Sequence, residues 1–186
     1  MRVIAGTARS LKLVTPKGMD VRPTTDRIKE TLFNIINLRL YDSSFLDMFA
    51  GSGAIGIEAL SRGAKEAYFV ENSTESLKAI EENLKHTKLY DNAHIVKSDC
   101  VSAVSMLSRQ GRKFDTIFLD PPYNHELEKK VLEEIAKSDI LSTEGIIIVE
   151  ASADTDFSYA ADLGFNIYRE KSYGSNKHVF LEKQEE

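Results

Sequence analysis

The chain has few residues that could cross-link it or bind a metal. Its 186 residues include one cysteine, Cys100, and four histidines. A lone cysteine cannot close an internal disulfide, which is typical of proteins in a reducing cytoplasm. The cysteine and the histidines also lack the spacing of a zinc finger or of a His-Glu-x-x-His helix, so we expect no bound metal.

Long apolar runs and low-complexity segments are missing as well. No stretch is apolar for long enough to span a bilayer, and the first residues lack the extended apolar region of a secretory signal. We therefore expect a cytoplasmic protein with no membrane partner. No linker rich in glycine, serine or proline divides the sequence, so a single domain is predicted over residues 1–186.

Charge is distributed unevenly along the chain, whose net charge is −5. Residues 1–39 carry eight basic and three acidic side chains, a net +5, and residues 40–186 carry 16 basic and 26 acidic ones, a net −10. A basic N-terminal arm appended to an acidic catalytic core is suited to local contact with phosphates. Three arginines of the arm are candidate phosphate ligands: Arg9, Arg22 and Arg27. The alternative is that they pair with Asp26 and Glu30 on a solvated surface.

The hydrophobic pattern predicts an α/β fold. A small hairpin is expected over residues 2–15, and Pro23-Thr24-Thr25 opens a helix. Beyond Tyr41, strands alternate with helices. Strands are predicted at 44–49, 66–71, 93–97, 114–119, 144–150, 164–171 and 177–183. Helices are predicted at 53–62, 73–87, 100–109, 125–137 and 154–162. Alternation of this kind builds a doubly wound, mostly parallel sheet, and the short loop before the last strand predicts a terminal antiparallel hairpin.

A glycine-rich turn follows the first strand of this pattern. Gly51-Ser52-Gly53-Ala54-Ile55-Gly56 is a full G-x-G-x-x-G between a strand and a helix, which allows a ligand to approach the backbone closely. The next strand ends at Glu71, where a carboxylate can accept the hydroxyls of a ribose. Asp99 follows the third strand at the same edge of the predicted sheet. These features predict a nucleoside-bearing cofactor, and NAD and S-adenosylmethionine both fit the glycines and Glu71.

The tetrapeptide Asp120-Pro121-Pro122-Tyr123, which directly follows the fourth predicted strand, distinguishes the two cofactors. Prolines end the strand and leave preceding carbonyl groups able to accept hydrogen bonds. Asp120 and a carbonyl could accept the N–H groups of a flat ring that carries an amine, while Tyr123 stacks on that ring. NAD gives this tetrapeptide and the terminal hairpin no role, whereas S-adenosylmethionine explains both.

Three segments resemble a known family. Residues 46–53, Leu-Asp-Met-Phe-Ala-Gly-Ser-Gly, resemble motif I of class I S-adenosylmethionine-dependent methyltransferases, a Rossmann-like fold with a seven-stranded sheet. Residues 120–123 resemble motif IV of the enzymes that methylate exocyclic amines of bases. Residues 22–33 resemble the N-terminal helix signature of the RsmD-type enzymes, which methylate guanine N2 in small-subunit (16S) ribosomal RNA. The resemblance covers nearly the whole chain.

The resemblance implies a role for each candidate residue. Gly51, Ser52 and Gly53 would pass beneath the methionine part of the cofactor, with Asp47 near its ammonium group. Glu71 would hold the ribose hydroxyls, and Asp99 would accept from the adenine amine. The target amine would be held by the Asp120 carboxylate and the Pro121 carbonyl within the catalytic tetrapeptide Asp120, Pro121, Pro122 and Tyr123. Ribosomal RNA is the implied partner, within a small-subunit particle or an assembly intermediate.

Three other functions remain as alternatives. A DNA adenine-N6 methyltransferase shares the proline tetrapeptide, but about forty residues outside the core are too few for a domain that reads DNA bases. An NAD-dependent oxidoreductase would use the glycine turn without the tetrapeptide. A catalytically silent binding module would not need acidic residues at three strand ends together with the complete tetrapeptide.

Overall fold

The computed structural model describes residues 1–16, 26–122 and 127–184. The chain forms two compact units, Met1–Asp99 and Cys100–Glu186. The single domain expected over residues 1–186 stays a prediction.

Within its described residues, the first unit has three parallel strands and three α-helices. Its strands are β1 (Ser44–Asp47), β2 (Glu66–Glu71) and β3 (Ala93–Lys97), and its helices are α1 (Asp26–Ile36), α2 (Ala54–Ser61) and α3 (Thr74–Thr87). Strand β2 lies between the other two and pairs with both in parallel. Because the strands are parallel, their carboxyl ends lie at one edge of the sheet.

The part of the second unit that the structure describes has four strands and two α-helices. Its strands are β4 (Phe114–Leu119), β5 (Leu141–Ser152), β6 (Phe165–Tyr173) and β7 (Asn176–Lys183), and its helices are α4 (Cys100–Arg109) and α5 (Leu127–Ala136). Strands β4 and β5 pair in parallel, whereas β7 pairs antiparallel with both β5 and β6. The expected terminal hairpin is thus confirmed, with Gly174 and Ser175 as its loop.

The strand order is β3-β2-β1 in the first unit and β4-β5-β7-β6 in the second. Central strands are apolar on consecutive residues and buried, as in Ile146-Ile147-Ile148-Val149 of β5, because both faces of a parallel sheet are covered. The predicted α/β class, the mostly parallel sheet and the number of strands are confirmed.

Two local predictions differ from the structure. The segment expected as a helix over 154–162 instead forms a short 3₁₀ turn over Ser158–Leu163. The Asp156 carboxylate accepts from both the backbone N–H and the hydroxyl of Ser158, and such local bonds compete with a regular helix. The second concerns the start of α3. Asn72 with Glu75 three residues later resembles a capping box, which predicts Asn72 as the amino-terminal cap, whereas the cap is Ser73, whose hydroxyl accepts from the Ser76 N–H.

The expected hairpin over 2–15 is present in a short form: Arg2 and Lys12 form an antiparallel bridge, and the N–H groups of Val3 and Leu13 donate across it to the carbonyls of Leu11 and Met1, at 2.9 and 3.0 Å. The N–H groups of Ile4 and Ala5 do not pair across it. They donate to the two carboxylate oxygens of Glu58 in α2, at 2.8 and 3.0 Å. The N-terminal arm (residues 1–16) therefore pairs with itself through its backbone and is attached to α2 through the Glu58 side chain.

Glu58 is the centre of a buried charged network. Its side chain is fully buried and lies 3.3 Å from Lys29 Nζ, which is also fully buried, and 2.8 Å from Arg62 Nε. Burial lowers the pKa of Lys29, and the Glu58 charge opposes that shift. Lys29 Nζ also donates to the Arg2 carbonyl at 2.6 Å. The carboxylate thus has four donors and joins the arm, α1 and α2.

Candidate functional site

Three of the predicted acidic residues lie at the carboxyl ends of the three parallel strands of the first unit. Asp47 and Glu71 are the last residues of β1 and β2, and Asp99 follows β3 by two residues. The N–H of Ser98 donates to the Glu71 carbonyl at 3.2 Å, which brings the segment before Asp99 against the end of β2. The structure therefore groups these side chains at one sheet edge, as the sequence predicted.

The glycine-rich turn has the backbone geometry that its sequence requires. Gly51 and Gly53 have φ of +54° and +78°, in the left-handed region that favours glycine. A Cβ at Gly51 would meet no protein atom within 4 Å, so a ligand could approach its backbone. A Cβ at Gly56, by contrast, would collide with the Phe69 ring. The first glycine of the motif thus leaves room, and the last allows α2 to pack against β2.

Glu71 has contacts that the sequence did not predict. Its Oε2 accepts from the Gly51 N–H at 2.9 Å, and its Oε1 accepts from the N–H groups of Asn72 and Ser73 at 2.8 and 2.9 Å. The carboxylate therefore holds the glycine turn and the start of α3 as well as being a candidate ribose ligand. The spacing of 20 residues from Gly51 identified Glu71 as a candidate, but it carried no information about these backbone partners.

Asp47 is a buried carboxyl group with one unsatisfied oxygen. Its Oδ2 accepts from the Gly56 N–H at 3.1 Å, while its buried Oδ1 has no hydrogen-bond partner within the described ranges. The pKa of Asp47 is raised to about 7, chiefly by burial; the Gly56 N–H opposes this shift, and the nearby Glu71 charge adds to it. An orphaned acceptor beside an accessible glycine backbone fits a ligand that carries an ammonium group.

The raised pKa predicts how Asp47 affects stability. Between about pH 4 and pH 7 the folded protein binds more protons at this site than the unfolded chain, so its contribution to stability decreases as pH rises. Asp47→Asn keeps the shape and removes the titration. We expect the free energy of unfolding of the variant to have a less negative slope in this range, by up to about 1.4 kcal/mol per pH unit. Urea unfolding at pH 4.5, 6 and 7.5 measures this, and parallel curves for the two proteins would contradict it.

Ser52 contributes to the site through its backbone. The residue is buried, and its carbonyl accepts from Asn83 Nδ2 of α3 at 2.9 Å. Sequence reasoning missed Asn83, because an asparagine within a helical pattern gives no sign of a partner 31 residues earlier.

In the second unit, strand β4 ends at Leu119, and Asp120, Pro121 and Pro122 follow directly. Pro121 is buried and Pro122 exposed, and the predicted stop at the prolines is confirmed. Tyr123 lies outside the described residues, so its expected role stays a prediction.

A buried polar cluster near this segment was not predicted. Leu119 pairs with Val149, and the next residue of β5 is Glu150, whose Oε2 lies 3.1 Å from Nε2 of the buried His178. The Tyr173 ring packs edge-on against His178 at 5.0 Å between centroids. Burial, with the Glu150 charge second, raises the pKa of the Tyr173 hydroxyl to about 12. These residues come from three strands and share no sequence motif.

The candidate phosphate ligands have different surroundings. Arg9 and Arg27 are exposed, and Arg22 lies outside the described residues. Asp26, which was the alternative partner for these arginines, pairs with Arg2 at 3.0 Å. Lys29, although it belongs to the basic N-terminal stretch, is buried against Glu58 and is not available to a nucleic acid.

The described ranges contain neither a membrane-spanning helix nor a cluster of metal ligands. None of the helices there combines the length and apolar character needed to cross a bilayer. In the same residues no three side chains of histidine, cysteine, aspartate or glutamate form a group that could hold a metal ion.

Comparison with known proteins identifies the family. Residues 1–182 match the family model described as "Conserved hypothetical protein 95". Ribosomal RNA small subunit methyltransferase D of Escherichia coli K12 is 33% identical over 184 residues, 99% of this chain and 90% of that protein. The chain belongs to the RsmD family. Its expected membership, based on the segments at 22–33, 46–53 and 120–123, is confirmed.

Two further relatives agree with this assignment. Ribosomal RNA small subunit methyltransferase D of Haemophilus influenzae is 35% identical over 155 residues, 83% of this chain and 80% of that protein. The solved structure of yhhF, a candidate methyltransferase of Escherichia coli, superposes with a TM-score of 0.88 at 32% identity and covers 100% of this chain and 99% of that one. The expected class I methyltransferase fold is confirmed for this RsmD-family chain.

Proposed function

We propose that this protein transfers a methyl group from S-adenosylmethionine to the exocyclic N2 amine of a guanine in 16S ribosomal RNA. Membership of the RsmD family carries the proposal. The methyl donor is supported by the glycine turn and the acidic strand ends, and the amine acceptor by the tetrapeptide after β4. The assignment of guanine N2 as the acceptor rests on the family resemblance.

The first unit would bind the cofactor, which supplies a methyl group activated by a sulfonium. The Gly51–Gly53 backbone would lie beneath the methionine part, and the orphaned Asp47 Oδ1 would accept from the ammonium group. Beyond its three backbone donors, the Glu71 carboxylate retains about one lone-pair site, on Oε2, which would accept from a ribose hydroxyl. Asp99 is exposed beside the end of β2 and would accept from the adenine amine.

The second unit would orient the acceptor. The lone pair of guanine N2 is delocalised into the ring and attacks poorly. Two acceptors, the Asp120 carboxylate and the Pro121 carbonyl, would hold its N–H groups and direct the lone pair toward the methyl carbon. The alkylated nitrogen is positive and acidic, so Asp120 can take its proton without being a strong base. Tyr123 would stack on the guanine once it has left its own stack, and Pro122 would complete the rigid turn.

The RNA is proposed to contact the N-terminal arm and the start of α1. Arg9 and Arg27 present exposed guanidinium groups there, and Arg22 is the third candidate. The substrate would be a small-subunit particle or an assembly intermediate in the cytoplasm. Contacts of this kind neutralise phosphates, so RNA binding should weaken as salt is raised.

Transfer of labelled methyl groups tests the proposal. We expect label from S-adenosylmethionine to enter 16S ribosomal RNA, as naked transcript or as small-subunit particles, and to be recovered in N2-methylguanosine after digestion to nucleosides. Double-stranded DNA serves as the competing substrate. Label in adenine, or in DNA alone, would contradict the proposal.

A further inference from the structure

Asn83 of α3 is a polar side chain with almost no exposure to solvent, 1% of its surface. A buried amide needs hydrogen-bond partners to offset the loss of its hydration. Asn83 has three, and all come from backbone groups far away in the sequence. Nδ2 donates to the carbonyls of Val14 and Ser52, each at 2.9 Å, and Oδ1 accepts from the Val14 N–H at 2.8 Å.

One of these bonds fixes the glycine turn of the proposed cofactor site. The peptide group between Ser52 and Gly53 is planar, so holding the Ser52 carbonyl also sets the direction of the Gly53 N–H. That N–H donates to the Ala50 carbonyl at 2.6 Å. Asn83 therefore fixes the orientation of a peptide group in the turn proposed to lie beneath the methionine.

The other two bonds fix the N-terminal arm. Asn83 pairs with both backbone groups of Val14, 69 residues earlier in the chain. The Val14 side chain is itself 40% exposed, so the arm is held at this point through its backbone. Arg9, a proposed RNA contact, belongs to the same arm.

We propose that Asn83 couples the N-terminal arm to the cofactor turn, so that the docked arm favours cofactor binding. Asn83 is a positioning residue in this scheme and touches no substrate. Coupling between two binding sites is reciprocal: RNA that holds the arm in its docked position would tighten cofactor binding, and cofactor would tighten RNA binding. This part of the inference rests on the proposed function, because RNA is taken as the ligand of the arm.

The test substitutes Val14 in the arm and measures the affinity of the cofactor site for S-adenosylhomocysteine. Val14→Pro removes the N–H that Asn83 accepts, and Val14→Ala is the matched control that keeps it. We expect S-adenosylhomocysteine to bind about fivefold more weakly to Val14→Pro, the scale of one net hydrogen bond, and within about twofold of the wild type to Val14→Ala. Calorimetric titration is done well below each melting temperature, so that a loss of stability alone leaves the affinity unchanged.

A double-mutant cycle tests whether the effect of Val14 on the cofactor site depends on Asn83. In an Asn83→Leu background the Val14→Pro change should have no further effect on affinity. The coupling is refuted if Val14→Pro and Asn83→Leu each bind S-adenosylhomocysteine as tightly as the wild type. It is also refuted if Val14→Pro weakens this binding by the same factor with and without Asn83. In either case the proposed function stands. Failure of the wild type to bind S-adenosylhomocysteine would refute the proposed function and this inference with it.

The RNA step is tested with the same ligand. Saturating 16S ribosomal RNA transcript should tighten S-adenosylhomocysteine binding about fivefold in the wild type and leave it unchanged in Asn83→Leu. Equal tightening in both proteins would show that RNA acts on the cofactor site without Asn83, which refutes the proposed coupling.

Discussion

Asp120→Ala is expected to lower the methylation rate by about a thousandfold and to leave cofactor binding intact. The carboxylate is proposed to orient the target amine and to take its proton, and effects of this kind range from about 10²- to 10⁴-fold. The residues proposed to bind the cofactor all belong to the first unit, whereas Asp120 follows β4 in the second. Single-turnover methylation of 16S ribosomal RNA, with calorimetric titration of S-adenosylhomocysteine, measures both effects.

Two further variants define what Asp120 does. Asp120→Asn keeps an acceptor oxygen, so it should retain more activity than Asp120→Ala if orientation is the main contribution. Asp115→Ala is the matched control, since Asp115 lies on β4, the strand that Asp120 follows, and its carboxylate accepts from Ser142 at 3.0 Å. We expect Asp115→Ala to remain active. Loss of cofactor binding in Asp120→Ala would show that the carboxylate belongs to the cofactor site.

Glu58→Gln is expected to lower the free energy of unfolding by about 3–5 kcal/mol, the cost of removing one partner from a buried ion pair. The substitution would leave the fully buried Lys29 without its counter-charge. It would also replace one carboxylate oxygen by an amide donor, either the oxygen that accepts from Ile4 or the one that accepts from Ala5 and Arg62. Chemical denaturation monitored by circular dichroism measures the loss, which is a large part of the stability of an ordinary domain.

A matched control separates the effect of losing a buried carboxylate charge from that of losing an exposed one. Glu81 forms an ion pair with Lys85 at the same i,i+4 spacing as Glu58 with Arg62, but on the protein surface. Glu81→Gln should therefore change stability by less than about 1 kcal/mol. Adding Lys29→Met to Glu58→Gln removes the orphaned charge and should restore part of the loss. Similar effects of Glu58→Gln and Glu81→Gln would contradict the structural role of the network.

Local sequence patterns predicted most of the sheet. The strands at 66–71, 93–97 and 114–119 match the structure at both ends, because each is an apolar segment bounded by polar or turn residues. Once the strands are parallel, their last residues must share an edge, so the sequence alone was enough to group Asp47, Glu71 and Asp99. The long strand β5 begins three residues earlier than expected, since Leu141–Glu144 has no apolar alternation that would signal a strand.

Contacts between distant residues could not be predicted in the same way. Glu58 lies in a helix pattern where a carboxylate is ordinarily solvated, and its partner Ile4 is 54 residues earlier. Asn83 bonds to the backbone of Val14 and Ser52, and a backbone group is present at every position, so the sequence gives no sign of which one is chosen. Such side chains are recognised only when the elements around them are in place.

The long-range attachment of the N-terminal arm has a consequence for biosynthesis. The arm is synthesised before its partners, because Glu58 and Asn83 follow Ile4 and Val14 by 54 and 69 residues. At about 5–20 residues per second, the ribosome makes these partners roughly 3 to 14 seconds later. During that interval the nascent arm has neither of these partners to dock on.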